Sequence, residues 1–413
     1  MAVSHRIKER KGNLLLLKRK LVTVLILVMA LAAVGCGSSN ETGTQSGTDN
    51  SETQNKAQPE VVEVETNVEI GRDVIKDKDL VSIAYVAMTN GSAQVFINQK
   101  YPIFAEEMEK IGKRVEFIDA HGLQEVYPML DRKKGAPEFI YIPHTAFTTY
   151  NTGKSKYGGS DKYTVIAGSV QSNDVNLVAR PEIKSLKDLD GKKVGIANLR
   201  YADDFQLNRV LAGVGLGTST YGGTVEVVWD NIVSDLWQNY ADGKYAAIVN
   251  FDNANNLPTA LSKVPGSHVF SLNPDGLFGE IQPRVWLATQ KELINNNPAL
   301  VQAFLKAHVL STDKALVKRV ELPALNTELR IKWFADKGAA MEDLEKQNTL
   351  DKFEKSWQEA AVSYDPGMNY AAGLHEYMIN EGHFKDLPLN EFVQVDLLNE
   401  VLQEIGKKPV KAE

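Results

Sequence analysis

From Leu80 onward, short β-branched runs alternate with amphipathic stretches, and this alternation confines the chain to a small set of folds. The run "VSIAYVAM" (Val81 to Met88) ends on Thr89, Asn90 and Gly91, and Ser92 to Gln99 has helical spacing with Ser92 at the N-cap position. Pro102 restarts the chain into "IFAEEMEKIG", closed by Gly112. "RVEFIDA" reads as a strand, "LQEVYPMLDRKKG" as a helix ending in basic residues and a glycine, and "EFIYIPH" as a buried strand stopped by Pro143. After "YTVIAGSVQSNDVNLVARP" the pattern resumes: "KKVGIAN", "TVEVVWD" and "YAAIVNFD" read as strands, with "DDFQLNRVLAGVGL" and "IVSDLWQNYADGK" as the helices between them. From Asn297 to the C-terminus the spacing is helical, with Pro298 at a first-turn position. The expectation is an α/β protein with two units in series, each a mostly parallel sheet with flanking helices, and a helical C-terminal region. No internal sequence repeat underlies the two units.

The N-terminal region has a different character. Seven Lys and Arg residues between Arg6 and Lys20 precede an apolar run from Leu21 to Val34, the layout of a secretion signal. That run is shorter than the ~20 residues a membrane-spanning helix needs. Ala33, Val34 and Gly35 then lead into Cys36, the single cysteine of the 413 residues, in an arrangement that resembles a bacterial lipobox, with Ala33 where that motif usually has Leu. The expected organisation is a signal peptide over residues 1–35, acylation at Cys36 and a polar, disordered tether over 36–78. Its expected location is extracytoplasmic, held to the bacterial cell membrane by the lipid. With no second thiol there is no internal disulfide, so a core must stabilise the body alone.

Charge and motifs exclude several classes. The chain carries −7, and the part after Cys36 is more negative still, because the leader holds seven basic residues against Glu9. A nucleic-acid partner is therefore not expected, and anionic lipid would repel the body. There is no GxSxG elbow, P-loop or HExxH, and the seven histidines are dispersed without metal-ligand spacing. No catalytic residue, metal or cofactor is expected, and the chain is not read as an enzyme.

"SLKDLDGKKVGIAN" (Ser185 to Asn198) resembles the "SLxDLxGKxVG" phrase of ABC-importer solute-binding proteins in the nitrate, sulfonate and taurine (NMT1/THI5-like) family. "ADGKYAAIV" (Ala241 to Val249), "NNPALVQAFLKA" (Asn296 to Ala307) and "YMINEGHFKDLP" resemble further elements of that family, in the same order. The resemblance implies a two-lobed periplasmic-binding-protein-like fold of type II. Lobe 1 would comprise 79–172 and 284–413, lobe 2 would comprise 173–283, and the crossings would fall near Gly168 to Asn176 and Glu280 to Thr289. It also implies capture of a small organic anion or zwitterion, sulfonate-like or taurine-like, by lobe closure, with delivery to the permease and ATPase of an importer, by a monomer. A surface sensor or adhesin of the same fold is the alternative, and binding of a thiamine-precursor pyrimidine or other heterocycle a lesser one. Relatives that make such a pyrimidine carry a cysteine-rich segment that this chain lacks.

Open α/β sheets bind ligands beyond the carboxyl ends of their strands, which selects four loops and one strand end. Thr89, Asn90, Gly91 and Ser92 offer amide, hydroxyl and helix N-terminal N–H groups that suit an oxoanion, or form an ordinary capped turn. His144 and Thr145 follow a strand end and face either ligand or hinge. In "ANLRYADDFQ", Arg200 offers a guanidinium fork and Tyr201 a flat wall, while Asp203 or Asp204 either caps the helix or faces the cleft and repels a simple anion. Asn250 and Asp252 complete the rim, and Trp229 ends a neighbouring strand, where core packing is its ordinary role.

Overall fold

The computed structural model describes residues 72–86, 91–120, 122–172, 175–197, 200–230, 233–251, 253–278, 282–336 and 350–411. Cys36, with the leader and tether expected around it, lies outside the described residues, as do Thr89, Asn90 and Asp252. Among the described residues no helix is long and apolar enough to cross a membrane.

Among the described residues, eleven strands build two sheets. They are β1 (Leu80–Val86), β2 (Arg114–Ala120), β3 (Phe139–Pro143), β4 (Tyr163–Ser172), β5 (Asn176–Ala179), β6 (Lys193–Ala197), β7 (Glu226–Asp230), β8 (Ala247–Asn250), β9 (His268–Ser271), β10 (Pro283–Gln290) and β11 (Ala360–Val362). The first sheet has the order β11-β4-β10-β3-β1-β2 and the second the order β7-β6-β8-β5-β9. Each centres on the parallel trio that the alternating sequence predicts, β2-β1-β3 and β7-β6-β8. The remaining strands run antiparallel: β10 between β3 and β4, β11 on β4, and β5 between β8 and β9. Both sheets are therefore mixed rather than mostly parallel. The physical reason is that β5 and β10 enter from the other sheet without a helical crossover of their own, and only such a crossover returns a chain parallel to its starting strand.

Burial follows the period of two that a strand imposes. Ile83 and Tyr85 of β1 face a core with Phe96, Phe104 and Phe304, while Ala84 and Val86 face a second core with Tyr127, Phe147 and Trp286. Helices cover both faces, which is why β1 reads as a continuous apolar run. The "SLKDLDG" phrase is structural: Ser185 and Asp188 form a reciprocal capping box, and Gly191 turns the chain at φ +67° into β6. Asn297 caps the long helix Pro298–Val317 by accepting from the Leu300 amide at 3.2 Å.

Three local expectations change. Ser92 does occupy the N-cap position of the helix Ala93–Asn98, yet its side chain makes no capping hydrogen bond and its hydroxyl is buried without a partner. The helix starting at Leu123 stops at Leu130, ahead of its basic residues, because the Asp73 carboxylate holds the Lys133 and Lys134 amides at 2.9 Å. The C-terminal region, read as almost entirely helical, is so but for β11, which it adds to the edge of the first sheet.

Next to that edge the chain passes very close to β4. The Gly168 amide donates to the Tyr364 carbonyl at 2.8 Å, and a Cβ at Gly168 would stand 2.0 Å from the Asp365 carbonyl oxygen. Gly168→Ala is expected to destabilise the protein by about 1–3 kcal/mol in urea denaturation, since backbone must move to admit the methyl group. An unchanged midpoint would show that residues 364–366 shift freely.

Candidate functional site

The helix Tyr201–Ala212, which follows β6 of the second sheet, packs on two helices of the first, His144–Asn151 and Met368–Asn380. Aromatic rings fill this seam. Phe205 meets Phe278 at 5.4 Å, Tyr370 at 5.6 Å and Tyr377 at 5.8 Å, and Tyr201 meets Trp229 at 5.4 Å. Two hydrogen bonds fix the helix across the seam: the Gln206 amide donates to the Tyr370 hydroxyl at 2.7 Å, and the Tyr377 hydroxyl donates to Asp204 at 2.6 Å.

The charges of the first turn are settled locally. Arg200 donates from Nε and from Nη2 to the two oxygens of Asp203, the second bond at 3.2 Å, and its guanidinium lies 3.8 Å over the Phe251 ring. Asp203 is fully buried, and burial pushes its carboxyl above the ordinary range while Arg200 pulls it back. Asp204 is raised for the same reason, with Tyr377 and the Thr220 and Thr218 hydroxyls opposing the shift. Neither aspartate is the N-cap; that position belongs to Arg200, whose side chain does not cap. The fork that the sequence offers to a ligand is thus taken by Asp203.

His144 opens its helix at the end of β3 and is buried. Its Nδ1 lies 3.2 Å from the Arg284 carbonyl, and the ring stands edge-on to Trp286 at 5.7 Å and to Tyr370 at 5.5 Å. Burial pushes its pKa down to about 3, and the nearby Arg200 and Arg284 guanidiniums push the same way. Arg284 is lowered to about 10 by burial, opposed by Glu359, and donates from Nη1 to Ser172 at 3.5 Å. The Ser172 amide in turn donates to the Gln282 carbonyl at 2.8 Å. Gln282 is 2 % exposed, and neither end of its side-chain amide has a partner among the described residues; the same holds for His144 Nε2.

The structure therefore brings His144, Arg200, Tyr201 and Asp203 to one seam, with Trp229 edge-on to Tyr201. Thr145 is buried beside His144 and its carbonyl accepts from the Thr149 hydroxyl. Gly91 and Ser92 lie against β4, where the Ser169 hydroxyl donates to the Gly91 carbonyl at 2.7 Å. Asn250 is buried at the end of β8, paired with Asn176 of β5. Sequence reasoning missed Gln282, Arg284 and Tyr370. The first two sit in a crossing strand rather than a strand-to-helix loop, and Tyr370 comes from the C-terminal helices.

A cavity of about 410 Å³ adjoins the seam, walled by Phe205, Phe278 and Tyr370 and flanked by Arg209 and Glu376. Its Tyr370 wall is the ring against which His144 stands. Among the described residues no group of three or more His, Cys, Asp or Glu side chains is placed to hold a metal ion.

Comparison with known proteins agrees with this architecture. Residues 161–319 match the NMT1/THI5-like family. No curated protein sequence matches the chain. The periplasmic sulfonate-binding protein SsuA of Methylobacillus flagellatus KT superposes with a TM-score of 0.54 at 17 % identity, over 82 % of this chain and 99 % of that one. The nitrate-binding protein NrtA of Synechocystis PCC 6803 gives 0.52 at 13 % identity over 79 % and 89 %, and the aliphatic sulphonate-binding protein SsuA of Escherichia coli 0.51 at 14 % over 77 % and 98 %. At these identities the likeness shows the fold: it is that of the periplasmic solute-binding proteins of ABC importers.

The buried state of His144 sets a pH dependence. Unfolded, its ring titrates near about 6.5, and folded near about 3. Below the upper value the unfolded chain takes up a proton that the folded ring refuses, so this residue makes the protein less stable as pH falls from about 6.5 towards 3. The raised carboxyls of Asp203 and Asp204 act in the opposite sense but are shared by wild type and variant. The stability of wild type relative to His144→Phe, measured in urea at pH 7 and pH 5, is expected to fall with the slope of one proton. Parallel curves would mean that His144 titrates normally.

Proposed function

We propose that this chain is the extracytoplasmic solute-binding component of an ABC importer, capturing a small organic anion or zwitterion between two lobes and presenting it to the permease and ATPase. Lobe 1 is built on the first sheet, from 79–172 and 284–413, and lobe 2 on the second, from 173–283. Support comes from the fold shared with sulfonate-binding and nitrate-binding periplasmic proteins and from the family match over residues 161–319.

One observation carries the reading. Polar atoms at or beside the seam, His144 Nε2 and the Gln282 amide, are buried with no partner among the described residues. Parting the lobes hydrates such atoms, and closing them empty strips the water away with nothing in return, at a cost of about 1–3 kcal/mol each. A solute that hydrogen-bonds to them removes that cost in the closed form alone, and a ligand drives closure only through such a differential. Tyr201, Trp229 and Tyr370 supply walls, and Arg284 supplies charge. Thr89, Asn90 and Asp252, which lie outside the described residues, are assigned to the same site from the sequence alone.

The leader and tether belong to this reading too: residues 1–35 direct export, Cys36 carries lipid, and the tether that follows ends before Asp73 rather than at residue 78, because Asp73, Val74 and Lys76 are hydrogen-bonded to the body; the body works as a monomer. Cys36→Ser is expected to move the protein from the membrane fraction to the soluble fraction; retention in membranes would show that the uncut apolar run is the anchor.

A thermal-shift screen against sulfonates, carboxylates, nitrate, amino acids and pyrimidine precursors tests the central reading. One chemical class should stabilise the protein, by about 2.7 kcal/mol at a hundredfold excess over Kd. A flat screen, together with native mass spectra free of any co-purifying small molecule, would sink it.

A further inference from the structure

His144 is held as one tautomer. Its Nδ1 faces a backbone carbonyl oxygen, that of Arg284 at 3.2 Å. A carbonyl has no proton to give, so Nδ1 carries the hydrogen and donates it, and Nε2 is left as a bare acceptor. Burial and the two neighbouring arginines keep a second proton off the ring. No protein donor reaches Nε2 among the described residues. The Trp286 N–H, on one of the two rings packed against it, is committed to the Pro366 carbonyl at 2.9 Å.

On the crossing side the chemistry is complementary. Arg284 can only donate, and the Gln282 amide, 2 % exposed, has a free donor end as well as a free acceptor end. Ser172 ties the two together, its hydroxyl accepting from Arg284 and its amide donating to the Gln282 carbonyl. One end of this region therefore suits an anion, and the other, at His144, suits a hydrogen-bond donor.

Given the binding-protein reading, we propose that His144 Nε2 accepts a hydrogen bond from an N–H or O–H of the bound solute while Gln282 and Arg284 take its acidic group, so that the solute is a small acid bearing an ammonium, amide or hydroxyl donor. Nitrate and donor-free acids leave Nε2 buried and unpaired and are selected against. Discrimination of this kind comes from the group left without a partner rather than from shape.

Three sulfonates that differ in one end group test this: taurine with an ammonium, isethionate with a hydroxyl, and ethanesulfonate with a plain methyl. Titration calorimetry on the full-length protein in detergent should show the first two binding roughly tenfold or more tighter than the third. His144→Phe should bring the three to within about twofold of one another, by removing the acceptor alone. Gln282→Leu should weaken all three together. Equal or tighter binding of ethanesulfonate by the wild type, a preference that survives in His144→Phe, or no binding of any of the three overturns the assignment. If His144→Phe does not fold, the wild-type ranking of the three sulfonates decides alone. A donor-free molecule found bound by native mass spectrometry would also overturn the assignment, and would leave the binding-protein reading standing.

Discussion

A polar atom taken from water and given no partner costs about 1–3 kcal/mol, and the seam between the two sheets is built around atoms in that state. Apolar contact pulls the other way. Phe205 against Tyr370 and Phe278, and Tyr201 against Trp229, bring the sides together, and the Gln206–Tyr370 and Asp204–Tyr377 hydrogen bonds register them. The seam thus sets two terms of opposite sign against each other. On the proposed binding-protein reading, a solute need only satisfy a few atoms to move the balance between them, which a wholly apolar interface would not allow.

One ion pair is kept out of that balance. Arg200 and Asp203 lie three residues apart in one helical turn, so their attraction operates whether or not the sheets are in contact. Phe251, from the end of β8, covers the guanidinium from the same side. That ion pair is satisfied within the second-sheet side, so bringing the sheets together gains nothing from it.

The parallel trios were legible because each strand is a short apolar run with turn residues at both ends, and both its faces are covered. The seam was only partly legible. Strand-end logic found His144, Arg200, Tyr201 and Asp203, and the spacing of Arg200 and Asp203 already allowed their pairing; their burial was not written locally. Gln282 and Arg284 stand in "IQPRVWLATQ", which reads as a strand with ordinary polar neighbours. They become interior because β10 is inserted between β3 and β4, strands drawn from far upstream. β11 is three residues long, too short to interrupt a helical pattern. The helix from Leu123 was overextended because the residue that captures its basic end, Asp73, lies about sixty positions earlier.

The strand order also sets a timetable. The second sheet is one contiguous stretch, Asn176 to Ser271, and can close once that stretch exists, whereas the first draws strands from Leu80 to Ser172 and again from Pro283 to Val362. Until β10 arrives, β3 and β4 have no strand between them, and their unpaired backbone edges stand open to any other extended chain. A growing or threading chain thus passes through a stage with one half finished and the other waiting on its tail. Completion of the first sheet, and with it Arg284 and Tyr370 of the seam, is a late event in the life of each molecule, and fragments that end before Pro283 have every physical reason to aggregate.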